Sequence, residues 1–103
     1  MSSKPSAIVS VLYPRIPDLK FNLDYYLTSH VPLTFKLLQP HGLLNGSVSE
    51  VVGDSDYAYN ITLEFKDVQS WEKGLESGGK ELTDDFKNFT NATPVFVVGK
   101  VVS

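Results

Sequence analysis

Apolar and polar positions fall into four stretches of strand character, separated by segments with helical spacing. Ala7 to Tyr13 ("AIVSVLY") is rich in β-branched and aromatic residues and predicts a strand closed by Pro14. "PRIPDLK" follows as a loop. Leu23 to Leu38 has the helical period, and Pro40 and Gly42 end it. Leu43 to Val52 predicts a second strand, with Gly46 as a bend or bulge. After the turn "GDSD", Tyr57 to Phe65 alternates. Tyr57, Tyr59, Ile61, Leu63 and Phe65 lie on one face, and Ala58, Asn60, Thr62 and Glu64 on the other. Asp67 caps a short second helix with apolar positions at Val68, Trp71 and Leu75, which Gly78-Gly79 is expected to break. Leu82, Phe86 and Phe89 predict a further helical piece, and Val95 to Val102 ("VFVVGKVV") the last strand.

The order β-α-β-β-α-β predicts an α+β, ferredoxin-like fold over residues 1–103, one domain with helices on one face of an antiparallel sheet. The first and last strands carry apolar residues on both faces. A sheet of that kind is covered on both sides. Helices supply one cover, and a second copy of the sheet, related by a two-fold axis, would supply the other.

The first helix has a well-specified start. Asn22 is placed to accept from the backbone N–H of Asp24 or Tyr25, Asp24 suits the positive end of the helix dipole, and Phe21 and Tyr26 occupy staple positions. Tyr26, His30, Leu33 and Leu37 then form one stripe facing the sheet. Pro32 cannot donate to the carbonyl of Thr28, so the helix is expected to kink or restart beside His30. A histidine on an apolar stripe is often a core residue satisfied by a carbonyl or a tyrosine. Here the disrupted helix favours a cavity-facing imidazole, with the tyrosines at 13, 25, 26, 57 and 59 available as its surroundings.

Composition narrows the chemistry. The net charge is −3 and the nine basic residues are scattered, which argues against nucleic-acid or membrane partners. The absence of cysteine removes disulfides, thiolate catalysis and sulfur-bound zinc. Two histidines eleven residues apart offer no metal-ligand spacing, and "GGK" lacks the pattern of a phosphate loop. His41 reads as a loop residue before Gly42. The start "MSSKPS" has no apolar stretch, so a cytoplasmic protein is expected and the four Asn-X-Ser/Thr sequons read as coincidental.

The pattern "FNLDYYLTSHVPL", with Asp24, Tyr25, Tyr26, His30, Pro32 and Leu33, resembles the EthD family of the dimeric α/β-barrel superfamily. That family is named for ethyl tert-butyl ether degradation. The resemblance continues through "HGL" at His41–Leu43, "EF" at Glu64-Phe65 and "DDFKNFTNATP" before the last strand. It implies a homodimer with a ligand pocket between sheet and helices. Related barrels include cofactor-independent monooxygenases, polyketide cyclases, isomerases and decarboxylases, and other members are auxiliary proteins. The family's motif histidine falls on His30 and its acidic residue on Asp24.

The expected function is therefore a small enzyme working without a cofactor on an apolar, aromatic or polyketide-like molecule. His30 would be the general acid/base, Tyr13, Tyr26, Tyr59 and Leu33 would contact substrate, and Asp24 would support the helix start. A non-catalytic ligand-binding or auxiliary protein is the alternative reading.

Overall fold

The computed structural model of the protein describes residues 4–103; the first three residues of the "MSSKPS" start, read above for a leader, lie outside it. Strands β1 (Ala7–Pro14), β2 (Leu43–Glu50), β3 (Tyr57–Phe65) and β4 (Val95–Lys100) form one antiparallel sheet in the order β2-β3-β1-β4. Helices α1 (Leu23–Tyr25), α2 (Val31–Leu38) and α3 (Val68–Asp85) complete the β-α-β-β-α-β sequence. This is the predicted ferredoxin-like arrangement.

Register aligns the core. Val9 pairs with Leu63 and Val98, and Val11 with Ile61 and Phe96, so these side chains share the helix-facing side. Tyr13, Phe65, Leu38, Leu43 and Val9 are the largest fully buried side chains. Burying each such apolar side chain is worth about 1.5–3 kcal/mol. The opposite face divides in two. Ile8, Leu12, Val95 and Val97 give β1 and β4 an apolar surface, whereas Asn45, Ser47, Ser49, Asn60, Thr62 and Glu64 make β2 and β3 polar. The expectation of apolar residues on both faces thus holds for the half of the sheet built from the terminal strands.

Local signals set the helix starts as expected. Asn22 Oδ1 accepts from Tyr25 N at 3.0 Å, and Asp67 Oδ1 accepts from Ser70 N at 2.8 Å. The Phe21 and Tyr26 rings lie 5.2 Å apart, closing the staple. Strands two and four are shorter than predicted, ending at Glu50 and Lys100.

Two glycine expectations are corrected. Gly46 is not a bulge; the extra residue is Leu44, between the pairs Leu43–Phe65 and Asn45–Glu64. Nor does Gly78-Gly79 break a helix, because α3 runs unbroken through it. Gly78 is buried where α3 crosses α2, and a Cβ there would sit 2.9 Å from Leu37 Cβ. The glycine admits a neighbouring helix, and that packing outweighs its low helix propensity of about 1 kcal/mol.

Gly78→Ala is therefore expected to destabilise the fold by about 1–3 kcal/mol through overpacking, despite alanine's better propensity. Urea unfolding measures this. An unchanged or raised midpoint would show that α2 and α3 do not meet at this position.

Candidate functional site

Between α1 and α2 the chain makes a π-helical turn, Tyr26–His30, in which Val31 N–H bonds to Tyr26 O, five residues back. Such wide turns recur at functional sites. Pro32 sits in the first turn of α2, where its missing N–H costs least. The predicted disruption is thus a wide turn just before the proline. Thr28 Oγ1 donates to Asp24 O at 2.7 Å and Thr34 Oγ1 to His30 O at 2.9 Å, each to the carbonyl one turn back. The inserted residue also rotates the helix face. Tyr26 and His30 are buried as predicted, but Leu33 and Leu37 are half-buried and Leu38 takes the deepest position.

His30 is 4% exposed. Its imidazole stacks on Tyr26 at 5.3 Å and lies 5.6 Å from Phe86 and 4.7 Å from Phe89. Nδ1 is 2.8 Å from Oδ2 of Asp85, in the last turn of α3. The other carboxylate oxygen accepts from Tyr25 Oη at 2.6 Å and from Asn88 Nδ2 at 2.8 Å. An ionised carboxylate only accepts, so Nδ1 carries a proton and Nε2 is the basic nitrogen. No protein group among the described residues bonds Nε2.

Burial pushes the His30 pKa below its ordinary value, against the opposing pull of Asp85. Burial alone would raise the Asp85 carboxyl, but bonds from Tyr25, Asn88 and His30 hold it below the usual range. The pair at neutral pH is therefore a neutral imidazole donating to a carboxylate. Burial drives the phenols of Tyr13 and Tyr26 well above their ordinary values, keeping both protonated.

His30, Tyr13 and Tyr26 line a cavity of about 110 Å³ between the sheet and the helices, together with Trp71, Phe86 and Phe96 among others. Of the residues expected to contact substrate, Tyr13 and Tyr26 line this cavity. Tyr59 and Leu33 do not line this cavity. Tyr59 stacks on Phe21 at 4.3 Å, and Leu33 packs against the core from a half-buried position. Asp24 is exposed in the first turn, consistent with a role at the helix start. His41 lies in the 3-10 turn Gln39–His41, outside the cavity.

Sequence reasoning missed Asp85 and Asn88, and it offered Tyr25 as a neighbour of His30 without its bond to Asp85. The spacing of Leu82, Phe86 and Phe89 put Asp85 within a helical piece, whereas it lies in the last turn of α3, where negative charge opposes the dipole and favours a partner. Among the described residues no cluster of metal-ligating side chains occurs, and no helix is long and apolar enough to cross a membrane.

No protein-family model and no curated protein matches the sequence. Solved structures do match its fold. An EthD-like protein from Ralstonia eutropha JMP134 superposes with a TM-score of 0.85 at 20% identity, covering 97% of this chain and 95% of that one. An ethyl tert-butyl ether degradation (EthD) family protein from Bacillus halodurans C-125 gives 0.72 at 21% identity, covering 93% and 98%. SnoaB, a cofactor-independent oxygenase from Streptomyces nogalater, gives 0.61 at 11% identity, covering 94% and 92%. The fold is that of the EthD-like, dimeric ferredoxin-like proteins.

The His30–Asp85 pair makes a pH prediction. Because the folded pKa of His30 lies below its unfolded value of 6.5, its contribution to stability is complete above 6.5 and is lost as pH falls through the folded pKa. NMR titration of the His30 ring is expected to give a midpoint below 6.5, and Asp85→Asn is expected to lower it further by removing the stabilising charge. A midpoint unmoved or raised by Asp85→Asn would show that the pair does not form.

Proposed function

We propose that this protein is a small cofactor-independent enzyme that moves a proton to or from an apolar, aromatic or polyketide-like substrate, with His30 as general acid/base. One observation carries the reading. A buried imidazole at the wall of an apolar cavity has one nitrogen tied to a carboxylate and the other free. In this arrangement Nε2 takes a proton from an acidic carbon or phenol of the substrate, and Asp85 stabilises the imidazolium that forms. Asp85 acts through His30 and is a positioning residue. The protonated phenols of Tyr13 and Tyr26 supply the polar edge of the cavity, suited to a carbonyl or enolate oxygen. The low polarity of the remaining wall strengthens each of these interactions.

Cyclisation, isomerisation, decarboxylation and oxidation by O2 all need such a proton transfer. The structural likeness to a cofactor-independent oxygenase supports this range without choosing within it.

The test is exchange of α-protons of aryl ketones in D2O, followed by NMR. His30→Ala is expected to lower the enzyme-dependent exchange rate by about 10²–10⁴, with the folded state retained. Binding of the ketones with no exchange in the wild-type protein would instead support the auxiliary ligand-binding reading.

We also propose that the protein is a homodimer closed through the sheet face away from the helices, where Ile8, Leu12, Val95 and Val97 form the apolar half. Val95 and Val97 are exposed in the single chain. Sedimentation equilibrium at micromolar concentration is expected to give twice the chain mass. A monomer under those conditions would rule the dimer out.

A further inference from the structure

The second glycine of the Gly78-Gly79 pair has no packing reason. A Cβ at Gly79 would meet only Leu75 of its own helix, at 3.4 and 3.6 Å, and nothing from another element within 4 Å. Gly79 nevertheless lines the cavity that holds His30, as do Leu75, Thr83 and Phe96. Leu75, Thr83 and Phe96 are exposed, Leu75 to 40% and Phe96 to 47%. They therefore mark where the cavity wall reaches the surface, along a slot between α3 and β4. Trp71, 6.0 Å from Phe96, fixes the spacing of the two elements at the inner side. The opposite wall, beside β2, is different. Ser47 on that wall is exposed too, but a Cβ on Gly46 beside it would sit 3.2 Å from Phe35 and 3.1 Å from Leu63, so side chains fill the space there.

We infer that the slot between α3 and β4 is the substrate entrance, and that Gly79 is the residue setting the width of ligand it admits. This rests on the proposed aromatic-ligand site at His30 and names the shape of its ligand. The cavity, about 110 Å³, is smaller than the roughly 150 Å³ apolar cavity known to hold a benzene ring. A multi-ring ligand cannot be enclosed. It places one edge beside His30 and extends outward past Gly79, between Leu75 and Phe96. A flat fused-ring compound fits this description, because its thickness is one ring and the slot walls are apolar. The missing side chain at 79 leaves the gap that such a plate occupies.

The probe is 1-naphthol, titrated into the wild-type protein, Gly79→Ala, Gly79→Leu and the control Ser77→Leu on the exposed side of the same helix. The readout is the NMR shift of the His30 Cε1–H group. Wild type and Ser77→Leu are expected to saturate with the same affinity. Gly79→Ala is expected to bind several-fold more weakly and Gly79→Leu at least tenfold more weakly. Circular dichroism is expected to show thermal midpoints for both Gly79 variants equal to or above wild type, since alanine and leucine favour helix over glycine. A folded Gly79→Leu that binds 1-naphthol like wild type would place the entrance elsewhere. A wild-type protein whose His30 signal does not respond would overturn the slot as an aromatic entrance. Binding is read without turnover, so a protein that binds through the slot and catalyses nothing loses the enzymatic reading alone.

Discussion

The bond between His30 Nδ1 and Asp85 Oδ2 joins the first helical segment to the end of α3, and the site depends on it. Removing an imidazole and a carboxylate from water is costly unless each finds a partner. Here each does. Asp85 accepts from three donors on three segments: His30 on the π turn, Tyr25 just before it, and Asn88 just after α3. The same bond selects the tautomer of His30, leaving Nε2 as its basic nitrogen. The side chain that packs the helical layer is thus also the one that turns a free ring nitrogen toward the cavity.

The surrounding aromatics give that pair its rigidity. Tyr13, Phe21, Tyr26 and Phe89 meet edge to face or tilted at centroid distances of 4.9–6.0 Å, and His30 is packed against two of them. Such contacts add to simple burial and favour particular ring orientations. The strand supplies Tyr13, the helix Tyr26, and the loop before the last strand Phe89. Those three segments cannot move independently without disturbing the imidazole. The backbone reinforces the link, with Asn22 N bonded to Phe89 O at 2.7 Å and Thr90 Oγ1 to Lys20 O at 2.7 Å.

What could be read from the sequence was what is local. Strand alternation, the caps at Asn22 and Asp67, and the disruption next to Pro32 all depend on neighbours within one or two turns, and all are present. The position of His30 followed from these. What could not be read depends on distant pairings. Asp85 lies 55 residues from His30, and nothing in the spacing connects them. Gly78 looked like a helix breaker because its partner Leu37 belongs to another helix. Gly46 looked like a bulge, whereas its small size leaves room for the Phe35 ring. Tyr59 belonged to the predicted face, but at the end of β3 that face meets Phe21 rather than the cavity. In each case a residue's local tendency was overridden by the group packed against it.

Trp71 has a consequence of another kind. It is the chain's sole tryptophan, it is buried, and its indole forms part of the wall shared with His30. The protein therefore carries one intrinsic fluorophore, placed where a bound molecule would alter its surroundings. Emission at tryptophan wavelengths comes from that wall and from nowhere else in the chain. A molecule entering that cavity would report itself through Trp71 in the native sequence, without any label.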